Sequence, residues 1–415
     1  MKVSPSLKRI RSVLNSRMAL VFAFALLAVA SAGVFGSAGV RADPLPPVPT
    51  PDRALVLSPG GGEPGRLLAP SWQRPEPGWL LVLDVNRLQA EGQILLVDVL
   101  GGTVKGVLRT GQDPAFALSP DGSRLFVAAQ VGGQDSLDVI DMATSKSIAR
   151  YRLTSRRADT LPPVTSTMGV SADGNWVYVV TNEILAPGID RAGITAVEVA
   201  TGRTVSTPIA VGTHCGPAVL VVTYTPTIVC SDAVRTFGPQ PGAATTVTLP
   251  ANRDVRKDWN GNPFDIGVLS GGAAADAEHV LAVAGNGRIS RVSTRDQRVA
   301  MSADLAIGAD RWVLPGRVVG SHDGSRVYVG VGRFADRSDA TGDQILVVEA
   351  FTLRTLAVID VPGRYATFTV SADGKRVYTV DLAGQTSSAW DTTTTRRLGS
   401  ISGLGESPTL ATAIR

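Results

Sequence analysis

The chain has 415 residues, with 40 Lys and Arg against 36 Asp and Glu and a formal net charge of +4. Six of the 40 basic residues and none of the acids lie in residues 1–42, which leaves 34 basic against 36 acidic residues, a charge of −2, for the remainder. The basic balance therefore belongs to the first segment, and it gives no support to nucleic-acid binding. Three histidines, at 214, 279 and 322, are too scattered for a His-based metal centre.

Residues 1–17 carry Lys2, Lys8, Arg9, Arg11 and Arg17, and 18–40 are uncharged and apolar. Ala30-Ser31-Ala32 and Val40-Arg41-Ala42 each offer small residues at a cleavage position. This is a secretory signal pattern, and it predicts export to the periplasm or the extracellular space. The alternative is an uncleaved N-terminal anchor, because the uncharged stretch is long enough to span a bilayer. Gly33, Gly36 and Gly39 weaken its far end as a helix and favour cleavage. Membrane contact is expected only through this segment, 1–42. Residues 43–75 form a Pro/Gly-rich linker that opens on the stiff run Asp-Pro-Leu-Pro-Pro-Val-Pro-Thr-Pro.

From 76 to 415 a short apolar strand recurs seven times, at intervals of about 50 residues. Four copies follow an Asp-Gly turn: Ser119-Pro-Asp121-Gly122, Ser171-Ala-Asp173-Gly174, Ser321-His322-Asp323-Gly324 and Ser371-Ala-Asp373-Gly374. Glycine accepts positive φ there, and the Asp side chain can bond a nearby backbone N–H. The aspartates repeat in phase with the turn, which marks them as turn residues and not as acid/base pairs. Three degenerate copies fill the period: 79–85, 228–230 after Thr225-Pro226, and 280–283 after an Ala/Gly-rich stretch.

One repeat contains four short strands. Residues 115–118, 125–129, 137–141 and 147–153 read as an antiparallel set joined by tight turns. The inner strands are apolar at nearly every position, as in Val177-Tyr178-Val179-Val180, which suits strands covered on both faces. The predicted fold is all-β: a seven-bladed β-propeller of four-stranded antiparallel blades. The segment 407–414 resembles a first strand that lacks a partner, and 79–85 a second strand that lacks its first. The C-terminal strand is therefore expected to pair into the first blade and close the ring.

Two cysteines in an exported chain suggest one disulfide. Cys215 opens the first strand of the degenerate fourth repeat and Cys230 ends the second, so the pair should face each other across a hairpin turning near Tyr224. Such a loop contributes about 3 kcal/mol in the chain-entropy account. The alternative is two buried free thiols. No metal site is expected. In 258–265, Asp258, Asn260, Asn262 and Asp265 offer alternating oxygen ligands of the kind a calcium loop uses, but Pro263 stands where glycine is needed, so a plain loop is expected. No nucleophile elbow and no phosphate loop are present, and the chain itself is expected to be non-catalytic.

Propellers commonly bind at one mouth of the central channel, through the loops entering each innermost strand. By phase these loops centre on Asp113, Thr165, His214, Phe264, Trp312, Tyr365 and Glu406, with Arg317 nearby. This mixture of aromatic and polar groups is the candidate channel-mouth binding surface.

With the repeats placed, residues 79–415 resemble the heavy subunit of the quinoprotein amine dehydrogenases, of the methylamine and aromatic amine types. They also share the blade signature of YVTN-type propellers. The resemblance rests on the Cys215/Cys230 pair, on 312–374 with the insertion 332–343 between two strands, and on the C-terminal strand. It implies a periplasmic scaffold with no cofactor of its own. The scaffold would hold a small, cysteine-rich light subunit bearing a quinone cofactor and would face an electron-acceptor protein. The other reading is a free-standing exported propeller that binds a protein, glycan or small ligand.

Overall fold

The computed structural model describes residues 72–85, 91–132, 134–153, 168–186, 189–208, 219–222, 226–230, 233–237, 245–250, 252–257, 263–267, 269–276, 278–333, 341–381, 385–404 and 408–414. All of them fall in one compact unit, Gly61–Arg415, and they form strands and turns with no helix.

The strands in chain order are β1 (Leu80–Val85), β2 (Glu91–Asp98), β3 (Thr103–Leu118), β4 (Arg124–Val131), β5 (Gln134–Asp141), β6 (Ser147–Arg152), β7 (Met168–Val170), β8 (Trp176–Ala186), β9 (Ile189–Glu198) and β10 (Thr204–Pro208). Next come β11 (Val219–Val222), β12 (Pro226–Val229), β13 (Ala233–Thr236), β14 (Thr245–Thr248), β15 (Val255–Lys257), β16 (Pro263–Asp265), β17 (Leu269–Ala274), β18 (His279–Ala284), β19 (Arg288–Ser293) and β20 (Arg298–Asp304). The last are β21 (Arg311–Gly320), β22 (Arg326–Arg333), β23 (Gly342–Glu349), β24 (Thr355–Tyr365), β25 (Thr367–Val370), β26 (Arg376–Asp381), β27 (Thr386–Asp391), β28 (Arg397–Ser402) and β29 (Pro408–Ala413).

Four successive strands make each of the sheets β7–β10, β11–β14, β17–β20, β21–β24 and β25–β28. The remaining large sheet runs β29-β1-β2-β3-β4-β5-β6. It is two four-stranded units sharing one strand. The N-terminal part of β3 pairs with β2, and its C-terminal part pairs with β4 after a bulge at Gln112–Ala115. The sequence predicts only a short strand at 115–118; β3 has 16 residues because the chain passes from one unit to the next through that bulge without leaving the sheet. β29 pairs antiparallel with β1, with Leu80 opposite Ala413 and Leu83 opposite Leu410.

The Asp-Gly turns have one geometry. The Ser119 hydroxyl donates to the Asp121 carboxylate at 2.6 Å and accepts the Arg124 N–H at 2.9 Å, while the Ser123 N–H donates to Asp121 at 3.0 Å. The turn glycines Gly122, Gly174, Gly324 and Gly374 have φ of 70°, 71°, 68° and 65°, a region that β-carbons disfavour. The first unit lacks Asp-Gly, and Pro77-Gly78 replaces it, with Gly78 at φ 89°.

The core lies between successive sheets. Leu281, Val283 and Ile289 of one sheet pack with Val313, Val327 and Val329 of the next. Trp312, Leu314, Tyr328 and Ile345 pack with Phe368, Val377 and Trp390. Tyr378, Val380 and Ala389 pack with Leu80, Val82 and Leu95, joining the last four-stranded sheet to the first strands of the chain. Each inner strand is thus covered on both faces, which is why its residues are apolar without alternation.

One region differs from the sequence reading, and a second, the cysteine hairpin, is described in part. The stretch around 255–265 is not a plain loop at its ends, since β15 and β16 pair there, with Arg256 opposite Phe264. Asp265 organises the hairpin by accepting the N–H groups of Asp254 at 3.0 Å and Gly267 at 2.9 Å. The cysteine hairpin is present as β11 and β12, with Val219 opposite Val229. Cys230 follows β12 and is 1% exposed, and Cys215 lies outside the described residues. Among the described residues no cysteine is free.

Candidate functional site

Three of the eight sequence-chosen residues come together in the sheet β21–β24: Trp312, Arg317 and Tyr365. All three are buried, at 4%, 7% and 0% exposure, and so do not form a surface. The repeat phase puts them in or near loops entering the innermost strands; in the structure Trp312 and Arg317 lie within β21 and Tyr365 ends β24, and packing between β21–β24 and β25–β28 covers them. Tyr365 meets Phe368 edge to face, with ring centroids 5.9 Å apart. Asp113 lies in the β3 bulge, and Phe264 lies in β16; the structure describes their backbones only. Thr165, His214 and Glu406 lie outside the described residues.

The local fold explains the depth of these side chains. Along β21, Val313 opposes Val331 and Val318 opposes Val329, so 314–317 bulge against a single facing residue, Gly330. Gly316 makes the bulge possible with φ 69°. A β-carbon on Gly330 would stand 2.8 Å from Arg317 Cβ and 3.0 Å from the Tyr365 hydroxyl. A β-carbon on Gly342 would meet the Tyr365 ring itself. Two glycines on facing strands therefore create the space that Arg317 and Tyr365 fill.

Charged residues that the repeat pattern did not single out complete the cluster. Arg311 from β21 and Arg333 from β22 both pair with Asp343 from β23, the latter at 3.1 Å. Arg311 and Asp343 are 15% and 24% exposed at the side chain, and Arg333 is 59% exposed. Behind them the Tyr365 hydroxyl donates to the Gln344 carbonyl oxygen at 2.6 Å. Burial pushes the Tyr365 pKa far above the phenol range, so it carries no proton-transfer role near neutral pH. Burial lowers Arg317 to about 10, and the nearby Tyr365 opposes the shift, so the guanidinium stays charged at neutral pH.

Among the described residues, two guanidinium groups, Arg311 and Arg333, thus meet at the Asp343 carboxylate, and Arg333 is the one that reaches solvent. Such an end can hold an anion or a carboxylate of a partner. Among the described residues no group of three or more His, Cys, Asp or Glu is placed to hold a metal ion. His279 starts β18 and bonds Asp276 at 2.8 Å, and Arg291 bonds the same carboxylate at 2.9 Å. His322 is exposed in its turn.

No family model matches the chain, and no curated protein matches it. Solved structures do. The β-propeller domain of Cps50 (Swd1) from Myceliophteria thermophila aligns with a TM-score of 0.52 at 12% identity, over 72% of this chain and 89% of that one. A functionally unknown protein from Desulfotomaculum acetoxidans DSM 771 aligns with a TM-score of 0.54 at 14% identity, over 81% of this chain and 98% of that one. At these identities the likeness speaks to fold alone. With the stacked four-stranded antiparallel sheets, it shows that the chain has a β-propeller fold.

Proposed function

We propose that the chain is an exported, non-catalytic seven-bladed propeller that docks a partner at the end of β21–β24 where Arg311, Arg333 and Asp343 meet. The observation that carries this reading is the shared carboxylate there: Arg311 and Arg333 both pair with Asp343, Arg311 is largely buried, and Arg333 is 59% exposed. A pre-positioned cationic end orders few side chains on binding, which favours docking of an anionic group. The seven blades are the seven repeats, with β29 supplying the innermost strand of the first. The Cys215–Cys230 disulfide clips the fourth.

The finer reading follows the resemblance to amine dehydrogenase heavy subunits. The partner is then a small, cysteine-rich light subunit that carries a quinone cofactor, and this chain is its periplasmic scaffold. A free-standing propeller holding an anionic ligand at the same end is the second reading, favoured by the exposure of Arg333.

Capture from the native periplasmic fraction tests the proposal. Tagged wild-type chain should retain a small cysteine-rich protein, and Arg333→Glu should retain about tenfold less, as reversal of a rim charge predicts. Equal capture by both chains would remove this end of the sheet from the account.

A further inference from the structure

The outer edge of β24 differs from the other outer strands. β24 is the last strand of its sheet, so the N–H and C=O groups of alternate residues point away from β23 with no strand beyond them among the described residues. Residues 354, 356, 358 and 360 are exposed and 355, 357 and 359 are turned inward. The exposed row reads Arg354, Leu356, Val358, Asp360, with Leu356 43% and Val358 39% exposed. No charge interrupts 355–359.

Elsewhere such edges are guarded. β6 carries Arg150 and Arg152, the N-terminal part of β3 carries Lys105, and β28, uncharged after Arg397, exposes one large apolar side chain, Leu398, against two in β24. β10 and β14 are uncharged but only 5 and 4 residues long. β20 has Arg298 and Asp304 at its ends, but these already pair within the chain, with Asp296 at 4.0 Å and Arg288 at 3.6 Å. The one-residue bulge at Leu356 has counterparts in β3, β6, β20 and β28, so it does not set β24 apart.

The row is self-complementary. If β24 runs antiparallel to a second β24 about a two-fold axis at Ala357, Leu356 of each copy faces Val358 of the other. Arg354 of each then faces Asp360 of the other. Apolar pairs occupy the centre, and an ion pair sits at each end. Asp360 is placed for that role: among the described residues its carboxylate accepts the Gln344 side chain alone, at 2.7 Å on an exposed face. An uncharged partner strand would leave both end charges unmatched, and a strand of one sign would leave one repelled. We therefore propose that β24 is an isologous dimer edge, its partner a second copy of this chain.

Sedimentation velocity on the purified full chain tests this, with wild type, Arg354→Asp and Asp360→Arg run singly and as an equimolar mixture. Wild type should show a concentration-dependent dimer. Each single variant turns both end pairs repulsive and should weaken the dimer by about tenfold. The mixture should recover it, because Arg354→Asp chains then face Asp360→Arg chains with both pairs restored. Recovery also shows that the variants are folded. Val358→Lys, which changes neither end charge, should lose the dimer as well, with an unchanged thermal transition. A wild type that stays monomeric, single variants that dimerise as wild type does, or a mixture that fails to recover would each overturn the proposal.

Discussion

The Tyr378 hydroxyl donates to the carbonyl oxygen of Gly78 at 2.9 Å, across 300 positions of sequence. Tyr328 makes the equivalent bond to Gly374 at 2.8 Å, from the central strand of one unit to the turn of the next. Pro77-Gly78 thus stands where the other units have Asp-Gly, and the last unit grips the first as its predecessor grips it. Tyr378→Phe should cost about 1 kcal/mol. Deletion of 405–415 should cost several times that, because it strips the β1 edge and uncovers a face holding Leu80 and Val82. Thermal unfolding of both variants is the check. A truncated chain that melts with the intact protein would refute closure by β29.

Alanine scanning of the cluster should separate packing from docking. Trp312→Ala and Tyr365→Ala empty buried space and should each lower stability by about 3–5 kcal/mol. Arg333→Ala, at an exposed rim, should stay within about 0.5 kcal/mol of wild type. Chemical denaturation of the three variants measures this, and a neutral Tyr365→Ala would contradict its buried placement.

Gly342→Ala should also destabilise, by about 1–3 kcal/mol, because the new methyl group would overlap the Tyr365 ring. Gly102→Ala meets no neighbouring atom, so its cost comes only from φ 64°. Comparing the two by denaturation distinguishes crowding from backbone strain. Equal losses would mean that the Tyr365 ring yields freely.

The Asp-Gly turns carry a pH signature. The Ser119 hydroxyl, then the Ser123 N–H and hydroxyl, pull the Asp121 pKa from 3.8 to about 2. Asp173, Asp323 and Asp373 are lowered too, each first by its own serine hydroxyl. A carboxylate with a depressed folded pKa stabilises the fold above its unfolded value. That contribution fades as pH falls, here between about pH 4 and pH 2 for Asp121. Ser119→Ala should raise the Asp121 titration midpoint and move acid unfolding to higher pH. Carboxyl NMR titration reads the first effect, and an ordinary Asp121 midpoint in the folded wild type would sink the argument.

The turns and strands were legible because they use local chemistry that repeats. Asp121 and Gly122 reveal a turn from four residues of sequence, and Val177-Tyr178-Val179 reveals an inner strand. The pairing of β29 with β1 was legible as a mismatch at the two ends of the repeat. The site was only half visible. Phase marked Trp312 and Tyr365 as centres of loops entering innermost strands, but their burial depends on Gly330, Gly342 and Phe368, which lie on other strands. Arg311, Arg333 and Asp343 come from three strands and obey no repeat. The bulge at 314–317 that carries Arg317 exists only against the facing strand. The Pro77-Gly78 turn was overlooked because its sequence differs while its position does not.

Gentle purification of the chain from its native host, followed by mass analysis and an absorbance spectrum, tests the docking account most directly. The account predicts a second, smaller exported protein that co-purifies with the propeller and separates when Arg333 is reversed to Glu; in the amine dehydrogenase-like reading the complex also shows quinone absorbance. A lone polypeptide with no bound partner or ligand would contradict it.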